Sequence, residues 1–125
     1  MKKILVIDDE AIVRTSCERA LGLEGYQVKL AASGREGIEF LENETFGIVL
    51  LDLKMPDMDG IEVLNRINEK WPATKVIMIT GYSTVETAVQ ALRLGAYNFI
   101  EKPFTPDTLL AAVREVTENS GGPQK

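Results

Sequence analysis

The stretch LLDLKMPDMDG, Leu50 to Gly60, decides the fold of this chain. It completes an almost wholly apolar run at 47–52, which ends on the carboxylate of Asp52, and it then turns through Pro56 and Gly60. Such a run is typical of a strand buried on both faces of a parallel sheet. Because an unpaired charge is costly inside a buried strand, we expect Asp52 at the strand's end, on the rim of the sheet.

Strand and helix signals alternate along the whole chain. Short strands rich in Val, Ile and Leu are predicted at 3–8, 27–32, 47–52, 75–80 and 97–101. Apolar residues spaced three and four apart predict a helix after each strand. Five such units form a (βα)5 chain, and right-handed crossovers then give an α/β fold, a doubly wound five-stranded parallel sheet with helices on both faces.

Helix ends carry recognisable signals. The predicted N-caps are Ser33, Asp59, Ser83 and Thr105, the first three within capping-box patterns and the last followed by a proline. Gly25 and Gly95 are predicted to end the first and fourth helices.

Size and composition indicate one domain. The chain has 125 residues, of which 45% are apolar and 26% charged, and its net charge of −5 argues against direct nucleic-acid binding. No stretch is long enough to predict a membrane span or a signal peptide. Cys17 is the single cysteine, which favours a cytoplasmic protein. The chain has no His, so any histidine chemistry must come from a partner.

Residues that could bind a metal or take part in a reaction stand at the ends of four of the five strands. They are Asp8, Asp9 and Glu10 after the first, Asp52 at the end of the third, Thr80 and Gly81 at the fourth, and Lys102 and Pro103 after the fifth. Ligands bind such sheets beyond the carboxyl ends of the strands, so we expect these groups to gather on one rim.

The grouped residues suit a hard cation and phosphoryl transfer. Asp8, Asp9 and Asp52 would repel one another, and oxygen ligands without His or Cys favour Mg2+. A carboxylate beside Mg2+, the cation of Lys102 and the hydroxyl of Thr80 can accept a phosphoryl group as an acyl phosphate.

These motifs together resemble the response regulator receiver domain of two-component signalling. The shared marks are the Asp8-Asp9 pair, Asp52 followed by MPDMDG, Thr80-Gly81 and Lys102-Pro103, across roughly residues 3–118. The segments GYSTVETAVQALRLGAY and GAYNFIEKPF are similar to receivers of nitrogen-regulation-type transcriptional activators. The resemblance implies the flavodoxin-like strand order 2-1-3-4-5 and a cis peptide bond before Pro103.

The resemblance also implies a phosphoacceptor and a metal site. Asp52 would accept the phosphoryl group from a phosphohistidine of a sensor histidine kinase or phosphotransfer protein. Asp9, Asp52 and the backbone carbonyl of Lys54 would bind Mg2+ directly, and Asp8 would act through water. The chain would not be an enzyme beyond its own phosphorylation and autodephosphorylation.

A second set of residues would transmit and time the signal. Lys102 and Thr80 would contact the phosphoryl oxygens, and Thr80 and Phe99 would form the switch. Phe99 stands where many receivers have Tyr, so packing would have to replace a tyrosyl hydrogen bond. Lys54 and Tyr82 would tune the lifetime of the phosphorylated state.

The resemblance also implies a domain boundary and a surface that passes the signal on. Residues 1–118 are predicted to form the receiver domain, and 119–125 a flexible tail or linker stump. The fourth helix, fifth strand and fifth helix would form the surface that controls an output domain or a partner, or that forms a homodimer. No output domain is present in these 125 residues.

Three other functions are weighed against the receiver interpretation. Haloacid-dehalogenase-type phosphatases have a second Asp two residues after the nucleophile, where this chain has Lys54. A flavin-binding domain would need a hydroxyl- and Gly-rich phosphate loop after the first strand, where this chain has Asp8, Asp9 and Glu10. A dinucleotide site is disfavoured because no G-x-G-x-x-G follows a strand.

Overall fold

The structure, a computed structural model, describes residues 2–81 and 85–120. Its strands are β1 (Lys3–Ile7), β2 (Gln27–Ala31), β3 (Ile48–Asp52), β4 (Lys75–Thr80) and β5 (Asn98–Glu101). Its helices are α1 (Ala11–Leu23), α2 (Gly34–Asn43), α3 (Gly60–Lys70), α4 (Val85–Arg93) and α5 (Pro106–Ser120). All five predicted strands are confirmed to within one residue at each end.

The sheet is parallel throughout, with the order β2-β1-β3-β4-β5. Alternate residues of its central strands face opposite sides. Leu5 and Ile7 of β1 pack in one core with helices α2, α3 and α4, whereas Ile4 and Val6 pack in the other with α1 and α5. The predicted doubly wound α/β fold and its strand order are therefore confirmed.

Local capping explains where α2, α3 and α5 begin. Ser33 Oγ accepts a hydrogen bond from Glu36 N at 3.1 Å, Asp59 accepts one from Ile61 N, and Thr105 Oγ1 accepts one from Thr108 N. Ser83, the predicted cap of α4, lies outside the described residues.

Two glycines close helices in a backbone conformation that other residues rarely adopt. Gly25 and Gly95 have φ angles of 92° and 106°, after α1 and α4 respectively. Both predicted helix stops are confirmed, because a residue with a Cβ is strained at such φ values.

Helix α4 differs from the other helices in which face it buries. The apolar spacing of Val85, Ala88, Val89 and Leu92 predicts the helix correctly, but Val89 and Leu92 do not face the core. Val89 and Leu92 are 40% and 47% exposed, and Ala91 is the buried residue among the described α4 side chains. Two apolar side chains of α4, Val89 and Leu92, thus remain on the surface.

The final helix runs further than the sequence indicates. Helix α5 continues to Ser120, two residues past the predicted domain boundary at 118, and residues 121–125 lie outside the described part. Among the described residues, no helix is both long and apolar enough to cross a membrane.

Candidate functional site at the carboxyl rim of the sheet

The carboxyl ends of four strands meet at one edge of the sheet. Asp8 directly follows β1, Asp52 ends β3, Thr80 ends β4, and Lys102 directly follows β5. The N–H of Lys102 donates to the carbonyl of Thr80 at 2.8 Å, which ties the last two ends together. The structure thus brings together residues up to 94 positions apart in sequence, as the topology predicts.

These strand ends line a cleft of about 420 Å³. The residues that line it are Asp9, Glu10, Asp52, Lys54, Met55, Pro56, Thr80, Gly81 and Lys102. Asp8 is fully buried, whereas Asp9 is exposed to solvent. The two acidic residues that follow β1 therefore lie in different environments.

Lys102 is surrounded by carboxylates. Its Nζ lies 2.8 Å from Asp8 Oδ2, 2.7 Å from Glu10 Oε1 and 3.5 Å from Asp52 Oδ2. Burial acts against the charged form, but hydrogen bonds to Asp8 and Glu10 outweigh it and raise the pKa of Lys102 above its usual range. The ammonium is therefore a fixed positive charge at the back of the site.

Asp52 is a carboxylate in an unfavourable place for its charge. Its exposed fraction is 4%. Burial, together with the negative charge of Asp8, raises the pKa of Asp52 from the ordinary 3.8 to about 7, against the opposing effect of Lys102. A nearby cation beyond Lys102 would relieve this cost.

Asp8 is held firmly at the end of β1. Its Oδ1 accepts a hydrogen bond from Glu10 N at 2.9 Å, and its backbone carbonyl accepts one from Arg14 Nη1 at 2.7 Å. Its own N–H continues the sheet ladder by donating to Ala31 O. The carboxylate position is thus fixed by backbone and side-chain contacts alike.

The donor set fits a hard divalent cation. Asp8, Asp9 and Asp52 each offer a carboxylate oxygen, and these oxygens all lie within 4.8 Å of one another. Oxygen donors of this kind match the preference of Mg2+. A cation held by these oxygens would offset the burial and the negative charge of Asp8, which raise the pKa of Asp52.

The loop after β3 is shaped by a close backbone contact. A Cβ at Gly60 would lie 2.4 Å from the carbonyl oxygen of Asp52 and 2.7 Å from Leu53 Cα. The N–H of Gly60 also donates to Leu53 O at 2.8 Å. Only glycine fits here, so the start of α3 is pressed against the backbone that carries Asp52.

The residues predicted to act as the switch and to set the lifetime of the phosphorylated state lie in different surroundings. Phe99 is half-buried in β5 and packs against the core beneath α2, α3 and α4. Lys54 lines the cleft, and its N–H donates to Asp52 Oδ1 at 3.5 Å. Tyr82 lies outside the described residues. The Lys102-Pro103 peptide bond is cis, as the resemblance implies.

Sequence reasoning missed two contacts of functional interest. Glu10 is predicted to reach the rim with the other acidic residues, but its direct ion pair with Lys102 is not predicted. The second contact is made by Asp57, whose carboxylate accepts hydrogen bonds from Gly34 N and Arg35 N of α2. The position of Glu10 beside Asp9 places it at the rim, whereas no local sequence pattern indicates that Asp57 contacts α2.

The family model for the response regulator receiver domain matches residues 4–114. This chain belongs to that family. It is a receiver domain of two-component response regulators, with the fold and the acidic rim described above. The assignment confirms the resemblance drawn from the sequence.

Individual relatives agree with this assignment. The transcriptional regulatory protein ZraR of Escherichia coli K12 is 42% identical over 112 residues, covering 90% of this chain and 25% of ZraR. The chain spans about a quarter of the length of the curated relatives it matches, which include NtrX-like regulators.

Solved structures agree as well. The receiver domain protein from Methanospirillum hungatei is 39% identical with a TM-score of 0.93, covering 97% of both chains. The beryllofluoride-activated NtrC4 receiver domain dimer is 38% identical with a TM-score of 0.91, covering 96% of this chain and 99% of that one.

Proposed function

We propose that Asp52 accepts a phosphoryl group and that the adduct shifts the surface formed by α4, β5 and α5. The observation that carries the proposal is the environment of Asp52. A buried carboxylate ends β3 at a cleft, with Lys102 Nζ 3.5 Å away and two further carboxylates whose oxygens lie within 4.8 Å. Receiver-family membership supports the same assignment.

The reaction is a transfer from a phosphohistidine or a small acyl phosphate. One carboxylate oxygen of Asp52 forms a bond to phosphorus while the bond from phosphorus to the donor's nitrogen or oxygen breaks. The leaving group keeps that electron pair, and Asp52 becomes an acyl phosphate. The proposed donor is a phosphohistidine of a sensor histidine kinase or phosphotransfer protein, and these 125 residues themselves contain no His.

Asp9, Asp52 and the backbone carbonyl of Lys54 would hold Mg2+, with Asp8 acting through water. When bound, the ion supplies positive charge that favours ionised carboxylates and offsets charge on the phosphoryl oxygens. The other contacts to the phosphoryl group would come from side chains of this chain. Lys102 is an ammonium fixed within reach of Asp52 and can pair with a phosphoryl oxygen.

Signal transmission would begin at Thr80. Its hydroxyl, at the end of β4, can donate to a phosphoryl oxygen on Asp52, and Phe99 in the neighbouring strand would repack as Thr80 moves. The result is a shift between two arrangements of the α4–β5–α5 surface. Lys54 and Tyr82 would set the lifetime of the adduct.

The exposed apolar side chains of Val89 and Leu92 on α4 support a contact surface there. Val89 and Leu92 lie on the surface and would be covered by an output domain or by a second copy in a homodimer. The NtrC4 receiver is described as a dimer in its beryllofluoride-activated form, which supports the homodimer for this chain. The cytoplasmic location stays a prediction from the sequence.

Intact mass after incubation with Mg2+ and acetyl phosphate tests the proposal. The wild type and Asp59→Asn, a carboxylate change in the same loop that keeps an N-capping side chain, should each gain one labile phosphoryl group. Asp52→Asn should gain none, and EDTA added before the donor should prevent the adduct. A phosphorylated Asp52→Asn would rule out the assignment.

A further inference from the structure

The loop between β3 and α3 is joined to a second helix at its far side. The Asp57 carboxylate accepts a hydrogen bond from Gly34 N at 3.1 Å through Oδ1 and from Arg35 N at 3.0 Å through Oδ2. These amides are in the first turn of α2, where backbone N–H groups have no partner within the helix. One side chain from a distant loop thus caps α2 with both of its oxygens.

The contact is supported by packing as well as by charge. A Cβ at Gly34 would lie 2.9 Å from Met58 Cβ and 3.1 Å from Val63 Cγ2, so the loop lies directly on the backbone of α2. A negative charge at a helix N-terminus is favoured by the helix dipole. Desolvation acts the other way, but hydrogen bonds from the Arg35 and Gly34 amides lower the pKa of the exposed Asp57 carboxyl below its usual value.

The joined segment is the one that lines the cleft. Lys54, Met55 and Pro56 lie between Asp52 and Asp57 and form part of the cleft wall. At its other end this segment is held by the close contact of Gly60 with the backbone of Asp52 and Leu53. Contacts with neighbouring backbone thus hold both ends of the segment that contains Lys54.

We propose that Asp57 is a positioning residue that couples the metal site to helix α2. It holds the loop so that the Lys54 carbonyl is kept in place for Mg2+, and in return metal binding strengthens the capping of α2 by Asp57. This reciprocity follows from linkage between two sites that share one element. The inference rests on the proposed function, because that function supplies the metal and its backbone ligand.

Ser33 supplies the matched control. Its hydroxyl caps the same end of α2 through Glu36 N but does not belong to the β3–α3 loop. Ser33→Ala therefore weakens the helix start without releasing the loop. Asp57→Asn is the conservative variant, since its side chain keeps one oxygen acceptor and loses the charge.

The experiment measures the Mg2+ dissociation constant by titration and the exchange of the Gly34 and Arg35 amides by NMR, with circular dichroism to verify folding. Asp57→Ala should bind Mg2+ about tenfold more weakly, Asp57→Asn by a smaller factor, and Ser33→Ala within about twofold of the wild type. In the wild type, Mg2+ should slow exchange of both amides, and in Asp57→Ala it should not.

The outcomes separate this inference from the proposed function. If the wild type and Asp57→Ala bind Mg2+ equally, or if Ser33→Ala weakens binding as much, the coupling is wrong and the phosphoacceptor assignment stands. If the wild type binds no Mg2+, the proposed function fails together with the coupling. Should Asp57→Ala not fold, Asp57→Asn with the same two measurements decides.

Discussion

The two sides of the Asp52 cleft are built in opposite ways. On the α3 side, Val63, Leu64 and Ile67 are fully buried, and the preceding loop is held against the backbone of Asp52. On the α4 side, Ala91 is the buried residue among the described side chains of the helix, and the apolar side chains of Val89 and Leu92 are exposed. Few buried contacts make an element easier to shift, so we assign the fixed chemistry to the first side and the response to the second.

The largest expected effect is on the fixed side. Leu64→Ala should lower the free energy of unfolding by about 3 kcal/mol, because it removes a fully buried side chain and leaves a cavity in a packed core. Chemical denaturation at constant pH measures this value. A loss below about 1 kcal/mol would mean that α3 is no better anchored than α4.

The close contact at Gly60 should be nearly as sensitive. Gly60→Ala places a methyl group within clashing distance of Asp52 O and Leu53 Cα, and we expect a loss of about 2 kcal/mol. Because the displaced backbone carries Asp52, phosphorylation by acetyl phosphate should slow as well. Gly22→Ala is the control, since a Cβ there meets no neighbouring atom. Equal effects of the two variants would contradict the contact.

Asp52 should destabilise the metal-free protein as pH rises. Its pKa is raised from 3.8 to about 7 on folding, so between these values the folded state binds more protons than the unfolded state. Its contribution to stability is therefore fully present below about pH 4 and is lost as pH rises through about 7.

Asp52→Asn removes this dependence. In EDTA at pH 8 the variant should be more stable than the wild type by about 2 kcal/mol. This value is smaller than the full pKa shift implies, because solvent in the cleft screens the Asp52 charge. Near pH 4 the difference in stability should vanish. Thermal unfolding at the two pH values measures this. A difference that is independent of pH would show that burial of the Asp52 charge costs nothing.

The smallest stability effect should be on the α4 side. Leu92→Ala should change the free energy of unfolding by less than about 0.5 kcal/mol, since Leu92 is 47% exposed. The same substitution should weaken self-association of the phosphorylated form in analytical ultracentrifugation. A Leu92→Ala loss equal to that of Leu64→Ala would remove the distinction between the two sides.

The sequence predicts the fold and most of the cleft for a clear physical reason. Strands buried on both faces must be apolar runs, so the sequence shows where each strand ends. The parallel topology then brings Asp8, Asp52, Thr80 and Lys102 to one rim. The apolar runs therefore predict both the strands and the position of the cleft at their carboxyl ends.

The rest depends on contacts that leave no periodic trace. The Asp57 carboxylate meets amides 22 and 23 residues earlier, and backbone amides are present whatever the side chains. Helical spacing predicts α4, but it does not tell whether the apolar side chains of this helix face the core or the surface. Apolar residues on either face repeat with the same period. Ion pairing of Glu10 with Lys102 likewise depends on how close the segments after β1 and β5 lie in the folded chain.

Hydrogen exchange measured by mass spectrometry tests the central claim most directly. The wild type would be compared with Mg2+ alone and with Mg2+ plus acetyl phosphate, with Asp52→Asn treated identically as the blank. We predict that phosphorylation changes exchange in α4 and β5 more than in α3, and that the blank shows no change. A wild type that carries the phosphoryl group yet exchanges identically in α4 and β5 would contradict the account.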